Sequence, residues 1–134
     1  MGWGKAMRVW IGRSIVAVAL IHTVFGVAVF GGALAQVLDR GVFGSITLIE
    51  PSPMATAFWF FVSGALAFML GGLIDHLERL GVAFPAFLPW SLLALTAVGC
   101  LLMPLSAWWL LFFPVGGMYA RGRRMGPGDA DATR

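Results

Sequence analysis

Charge is scarce in this chain. Only 11% of its 134 residues are Asp, Glu, Lys or Arg, where a soluble domain carries about 25%. There is a single cysteine, Cys100, so no internal disulfide can form, and a lone thiol in an apolar run reads as a small hydrophobe. With two histidines and six carboxylates, there is little material for acid–base or metal chemistry. No phosphate loop, nucleophile elbow, CxxC or haem-attachment motif is present, and no paired carboxylates lie within an apolar stretch. Nothing signals an enzyme, and no cofactor is implied.

What the chain has is apolar length. Hydrophobic residues make up 60% of it, and the mean hydropathy is +0.90. A bilayer crossing takes about 20 apolar residues. Between Ser14 and Val37 the only polar side chains are Ser14, His22, Thr23 and Gln36. The basic N-terminus followed by an apolar run resembles a signal peptide, but the run is about twice the usual core length, which predicts an uncleaved first span.

These features predict an all-α polytopic membrane protein. One domain, 1–120, would hold four transmembrane helices in a compact bundle, with spans at about 11–38, 54–73, 84–103 and 105–120. A polar cytoplasmic tail, 121–134, would follow. Ser52 is the expected N-cap of the second span, with Pro53 at its first helical position. Pro104 divides a run too long for one crossing.

Topology follows from the basic residues. Four spans put Lys5, Arg8, Arg13, Arg79, Arg121, Arg123, Arg124 and Arg134 on one side and Arg40 alone on the other. The excess marks the cytoplasmic side and places both termini there. Three spans would send the Arg121–Arg124 cluster outside, so that reading is rejected. The basic residues serve topology rather than nucleic-acid binding.

Small residues recur every seventh position in span one, at Gly12, Ala19, Gly26 and Ala33, and a matching stripe in span two holds Ala57, Gly64, Ala67 and Gly71. Such grooves let membrane helices approach closely. His22 lies on the groove of span one, three residues after Ala19 and four before Gly26. An ionisable residue inside a span usually faces protein or water and marks a functional candidate. Ser63, Phe58 and Phe61 are the candidate companions of His22 in a ligand- or proton-binding pocket. The competing reading is a neutral histidine bonded across a helix interface. Asp75, His76 and Glu78 contain metal-ligating types, but without a matching cluster they read as a solvated helix end, with Asp75 and Arg79 spaced to pair. Glu50 reads as a solvated loop acid.

A family resemblance rests on Gly12-Arg13, Ile21-His22 with Gly26, Phe58-Trp59-Phe60 with Gly64, Leu88-Pro89-Trp90 and Met103-Pro104-Leu105-Ser106. Through them nearly the whole chain resembles an uncharacterised group of small bacterial four-span membrane proteins, a domain of unknown function. The resemblance implies the four-span fold and a bacterial inner membrane, and it carries no activity. The expected function is a non-enzymatic binding or accessory helix bundle with a pocket near His22. Two alternatives stand beside it: an oligomeric transporter or channel using His22, and a haem-binding redox protein. The expected partners are the lipid bilayer and either a second copy or another membrane protein.

Overall fold

The computed structural model describes residues 9–46 and 52–124. These form four α-helices: α1 (Ile11–Asp39), α2 (Pro53–Arg79), α3 (Phe87–Leu102) and α4 (Phe112–Arg124), with a 3-10 segment, Ala107–Leu111, leading into α4. The described residues contain no strand. Two helices, α1 and α2, are long and apolar enough to cross a membrane.

Local sequence sets most of the boundaries. Ser52 accepts a hydrogen bond from the Ala55 N–H at 3.1 Å, and Pro53 opens α2, because the first turn leaves its N–H groups without helical partners. Gly41 and Gly81 follow the ends of α1 and α2 with φ of 79° and 70°, a left-handed conformation that glycine adopts without a Cβ penalty. Pro89 falls within the first turn of α3 and does not interrupt it. Helix α3 stops at Leu102, just before Met103 and Pro104.

Helices α1 and α2 form an antiparallel pair in constant register. An added Cβ on Gly12 would meet Asp75, one on Gly71 would meet Val16, one on Gly64 would meet Thr23, and one on Gly26 would meet Phe61. The residue numbers in each of these pairs add to 87. Gly12, Ala19, Gly26 and Ala33 are all buried, as are Ala57, Gly64 and Gly71, while Ala67 is half-buried. Seven-residue spacing keeps the small residues on the seam along both helices.

The other two helices form a second, shorter hairpin. Helix α3 packs on α4 and the 3-10 segment, and these two contact α1; α3 does not run alongside α2. The larger core cluster joins Ile11, Ile15, Ile74, Leu92, Val115 and Met118. It lies where α1 begins, α2 ends and α3 begins, against the first half of α4. At the far end, the described residues form a smaller cluster of Ala33, Met54 and Ala57, packed with Phe30, Val37, Ile46 and Phe61. Among the described residues, four helices therefore meet at one end, and the α1–α2 pair continues without the other two at the opposite end.

Two boundaries differ from the sequence expectation. The fourth helical segment begins as 3-10 and continues as α-helix to Arg124, through residues whose composition reads as tail. The reason is that Arg121 is buried rather than solvated, with 6% exposure. The second difference is length. At about 1.5 Å per residue, α3 spans roughly 24 Å, short of the roughly 30 Å hydrocarbon layer.

Candidate functional site

His22 sits where the seam crosses Gly64. Its ring lies flat on Phe60, with centroids 3.8 Å apart and planes within 7°. Nε2 is 2.9 Å from the Phe60 carbonyl oxygen. A carbonyl can only accept, so Nε2 carries the proton and donates. The Ser63 hydroxyl donates to the same carbonyl at 2.7 Å and stands 3.4 Å from Nε2. Gly64 makes this possible, because a Cβ there would meet the imidazole Cδ2 at 2.8 Å. His22 therefore clasps α1 to α2 through one hydrogen bond and one stacked face.

The other candidate residues divide. Ser63 belongs to the cluster. Phe61 packs lower on the seam, against Gly26 and the far-end core. Phe58 is 42% exposed and meets Trp59 edge-on; no contact places it on His22. The aromatic neighbour of His22 is Phe60, which was not among the candidates. The adjacent cleft lies on another side of α1, where Ser14, Ala17, Val18 and Ile21 face Trp109, Leu110, Phe112 and Phe113 around about 600 Å³. His22 does not line it.

The most buried charges lie at the four-helix end. Helix α1 has no capping side chain of its own, since its N-cap is Trp10. Glu78, on the last turn of α2, supplies the cap. Its carboxylate accepts from the Gly12 N–H at 2.8 Å and from the Trp10 N–H at 3.4 Å. A carboxylate suits this place because the first N–H groups of a helix are unpaired and carry partial positive charge. Arg121 closes the cluster. Nη1 is 3.9 Å from Glu78 Oε1, Nη2 donates to the Glu78 carbonyl at 3.5 Å, and the guanidinium lies 5.2 Å from the centroid of Phe84. The Glu78 side chain is fully buried. The sequence expectation of a solvated helix end at Glu78 and of a tail from Arg121 is revised: both side chains are buried and paired.

Beside this cluster lies an exposed one. Asp75 accepts from Arg79 Nε at 2.7 Å and from Arg13 Nε at 3.3 Å. Among the described residues, no three His, Cys, Asp or Glu side chains group to hold a metal ion. Glu50 lies outside the described residues.

A protein-family model described as a family of unknown function (DUF6463) matches residues 6–125, and the chain belongs to that family. No curated protein and no solved structure matches it.

Proposed function

We propose that this member of a family of unknown function is a small multi-pass integral membrane protein that works by binding, as an accessory helix bundle, rather than by catalysis. Support comes from the outward faces of the helices. Val24, Met69 and Leu101 are each about 70–80% exposed, and soluble monomers rarely expose large continuous apolar surfaces. In a bilayer these faces meet lipid. The excess of basic residues favours a cytoplasmic face for both termini and the four-helix end, and the resemblance to small bacterial membrane proteins supports an inner membrane.

On this reading α1 and α2 cross fully, and the α3–α4 hairpin enters from the cytoplasmic side. The hairpin's turn is Met103-Pro104-Leu105-Ser106. Part of its polarity is met internally: the Ser106 hydroxyl donates to the Met103 carbonyl at 2.6 Å, and Trp109 Nε1 donates to the Pro104 carbonyl at 2.8 Å. The turn carries no charge and meets part of its backbone polarity internally, which lowers the cost of lying at the edge of the apolar layer. The four sequence-predicted spans thus become two full crossings and one shallow hairpin, which leaves both termini on the same side.

The observation that carries the non-catalytic reading is the clasp at His22. Nε2 and one ring face are committed to Phe60, so the imidazole acts as packing, and haem ligation through Nε2 would require breaking the seam. The second reading is an oligomeric transporter. It is favoured by Thr23 and Ser63, polar residues exposed beside His22 in the middle of apolar helices. Purified wild-type chain and His22→Phe, which keeps a flat ring on Phe60, discriminate between them. Proton or solute flux in proteoliposomes that His22→Phe abolishes would establish transport. The accessory reading expects no flux from either protein and closely similar melting.

A further inference from the structure

We infer that Arg13, Asp75 and Arg79 form a binding site for the phosphate of an anionic phospholipid headgroup. The inference rests on the membrane reading above.

The site is built by the tightest point of the helix seam. Gly12 lets the α1 backbone touch the α2 backbone at Gly71 and Asp75, which brings Arg13 beside Asp75. One carboxylate then holds two guanidiniums, Arg13 by Nε at 3.3 Å and Arg79 by Nε at 2.7 Å. Both arginines bond through Nε, and neither Nη group takes an acceptor among the described residues. The arginine side chains are 61% and 57% exposed, while Asp75 is 19% exposed. The Nη edges are thus left for an outside acceptor, and the three side chains together carry a surplus positive charge. Guanidinium forks match phosphate oxygens two at a time, and holding them in place beforehand lowers the ordering cost of binding.

The surroundings select a lipid over free phosphate. The arginines stand at the end of α1 and α2, and exposed apolar residues of those helices follow within two turns, at Leu20 on α1 and at Leu73 on α2. A headgroup phosphate on the arginines would therefore have its acyl chains alongside these residues. Arg121 does not compete, being buried with Glu78. Asp75 serves as the positioning residue.

The test is native mass spectrometry of the full chain in detergent, with phosphatidylglycerol and phosphatidylcholine as probes. Wild type should retain phosphatidylglycerol in preference to phosphatidylcholine, and excess inorganic phosphate should not displace it. The double variant Arg13→Lys/Arg79→Lys keeps the charge and loses the forks. It should bind phosphatidylglycerol about five- to tenfold more weakly, while Arg123→Lys should bind as wild type does. Asp75→Asn adds one unit of positive charge, yet it should also weaken binding, because the guanidiniums are no longer held. Melting temperature serves as the folding control, and Asp75→Asn decides the matter alone should the lysine variant melt early. Unchanged affinity in the lysine variant, or tighter binding by Asp75→Asn, would reduce the site to diffuse positive charge and overturn the inference. Displacement by inorganic phosphate would overturn the lipid assignment. A chain that stays in solution without detergent would instead defeat the membrane reading on which the site rests.

Discussion

Replacing Gly12 with alanine tests the helix seam at its narrowest point. The new Cβ would overlap the Asp75 backbone nitrogen and Cα as well as the Gly71 carbonyl oxygen. All three are backbone atoms and cannot rotate aside. The helices would have to part by roughly 1.5–2 Å to restore ordinary contact at about 3.5–4 Å. Overpacking of this kind costs about 1–3 kcal/mol. Parting the helices also stretches the 2.8 Å bond from the Gly12 N–H to Glu78, and a hydrogen bond to a charged group contributes about 1.5–3 kcal/mol. Against this stands a gain in helix propensity of at most about 1 kcal/mol. The net loss should be about 2–5 kcal/mol, read as a shift in the unfolding midpoint in a denaturing-detergent titration followed by circular dichroism. Gly26→Ala should cost less, because the nearest atoms its Cβ would meet belong to the side-chain rings of Phe60 and Phe61 rather than to backbone. Gly31→Ala and Gly72→Ala face open space and should be neutral or slightly stabilising. If Gly12→Ala unfolded no earlier than Gly31→Ala, the argument that backbone contact holds the seam would be refuted.

Three further outcomes follow from the same contacts. Glu78→Gln leaves the buried Arg121 without its counter-charge and should destabilise by about 3–5 kcal/mol; the double variant Glu78→Gln/Arg121→Met should recover part of this, and additive losses in the same titration would deny the coupling. His22→Phe should cost less than about 1.5 kcal/mol, since the stack is kept and the Phe60 carbonyl retains Ser63; a loss as large as that of His22→Ala would mean the hydrogen bond rather than the stack clasps the helices. With Cys100 replaced by alanine, a cysteine at Leu105 should resist water-soluble maleimides from either side of the membrane, and labelling from the outside would show that α3 and α4 cross completely.

The α1–α2 pair was legible because its signal is periodic and its environment uniform. Seven-residue spacing of small residues marked both faces, and Ser52-Pro53 marked the start of α2. Glu78 was legible too, though it went unread: Ala57, Gly64 and Gly71 extend by one more step of seven to Glu78. A carboxylate on a stripe of small residues signals a buried partner, and here that partner is a helix terminus lacking a cap of its own. Arg121 carries a similar signal, since Pro114, Val115 and Met118 are buried on the same stripe of α4. Composition hid it by grouping Arg121 with the glycines and arginines that follow. Choosing Phe60 over Phe58 or Phe61 depended on the rotational setting of α2 against His22. Adjacent aromatics do not encode that setting; Gly64 fixes it by leaving room for the imidazole. The limits of α3 and α4 were beyond hydropathy, because an apolar run does not mark where the chain turns at Pro104 or where the 3-10 segment gives way to α-helix.

The most direct test of the membrane account is cysteine labelling of the chain in sealed inverted and right-side-out vesicles, in a Cys100→Ala background. One reporter is Phe43→Cys, in the α1–α2 loop, and the other is Gly122→Cys, on the last turn of α4; both positions are exposed. The account predicts that Phe43→Cys reacts only from the outer face and Gly122→Cys only from the cytoplasmic face. Reaction of both from the same face, or recovery of the chain outside the membrane fraction, would contradict it.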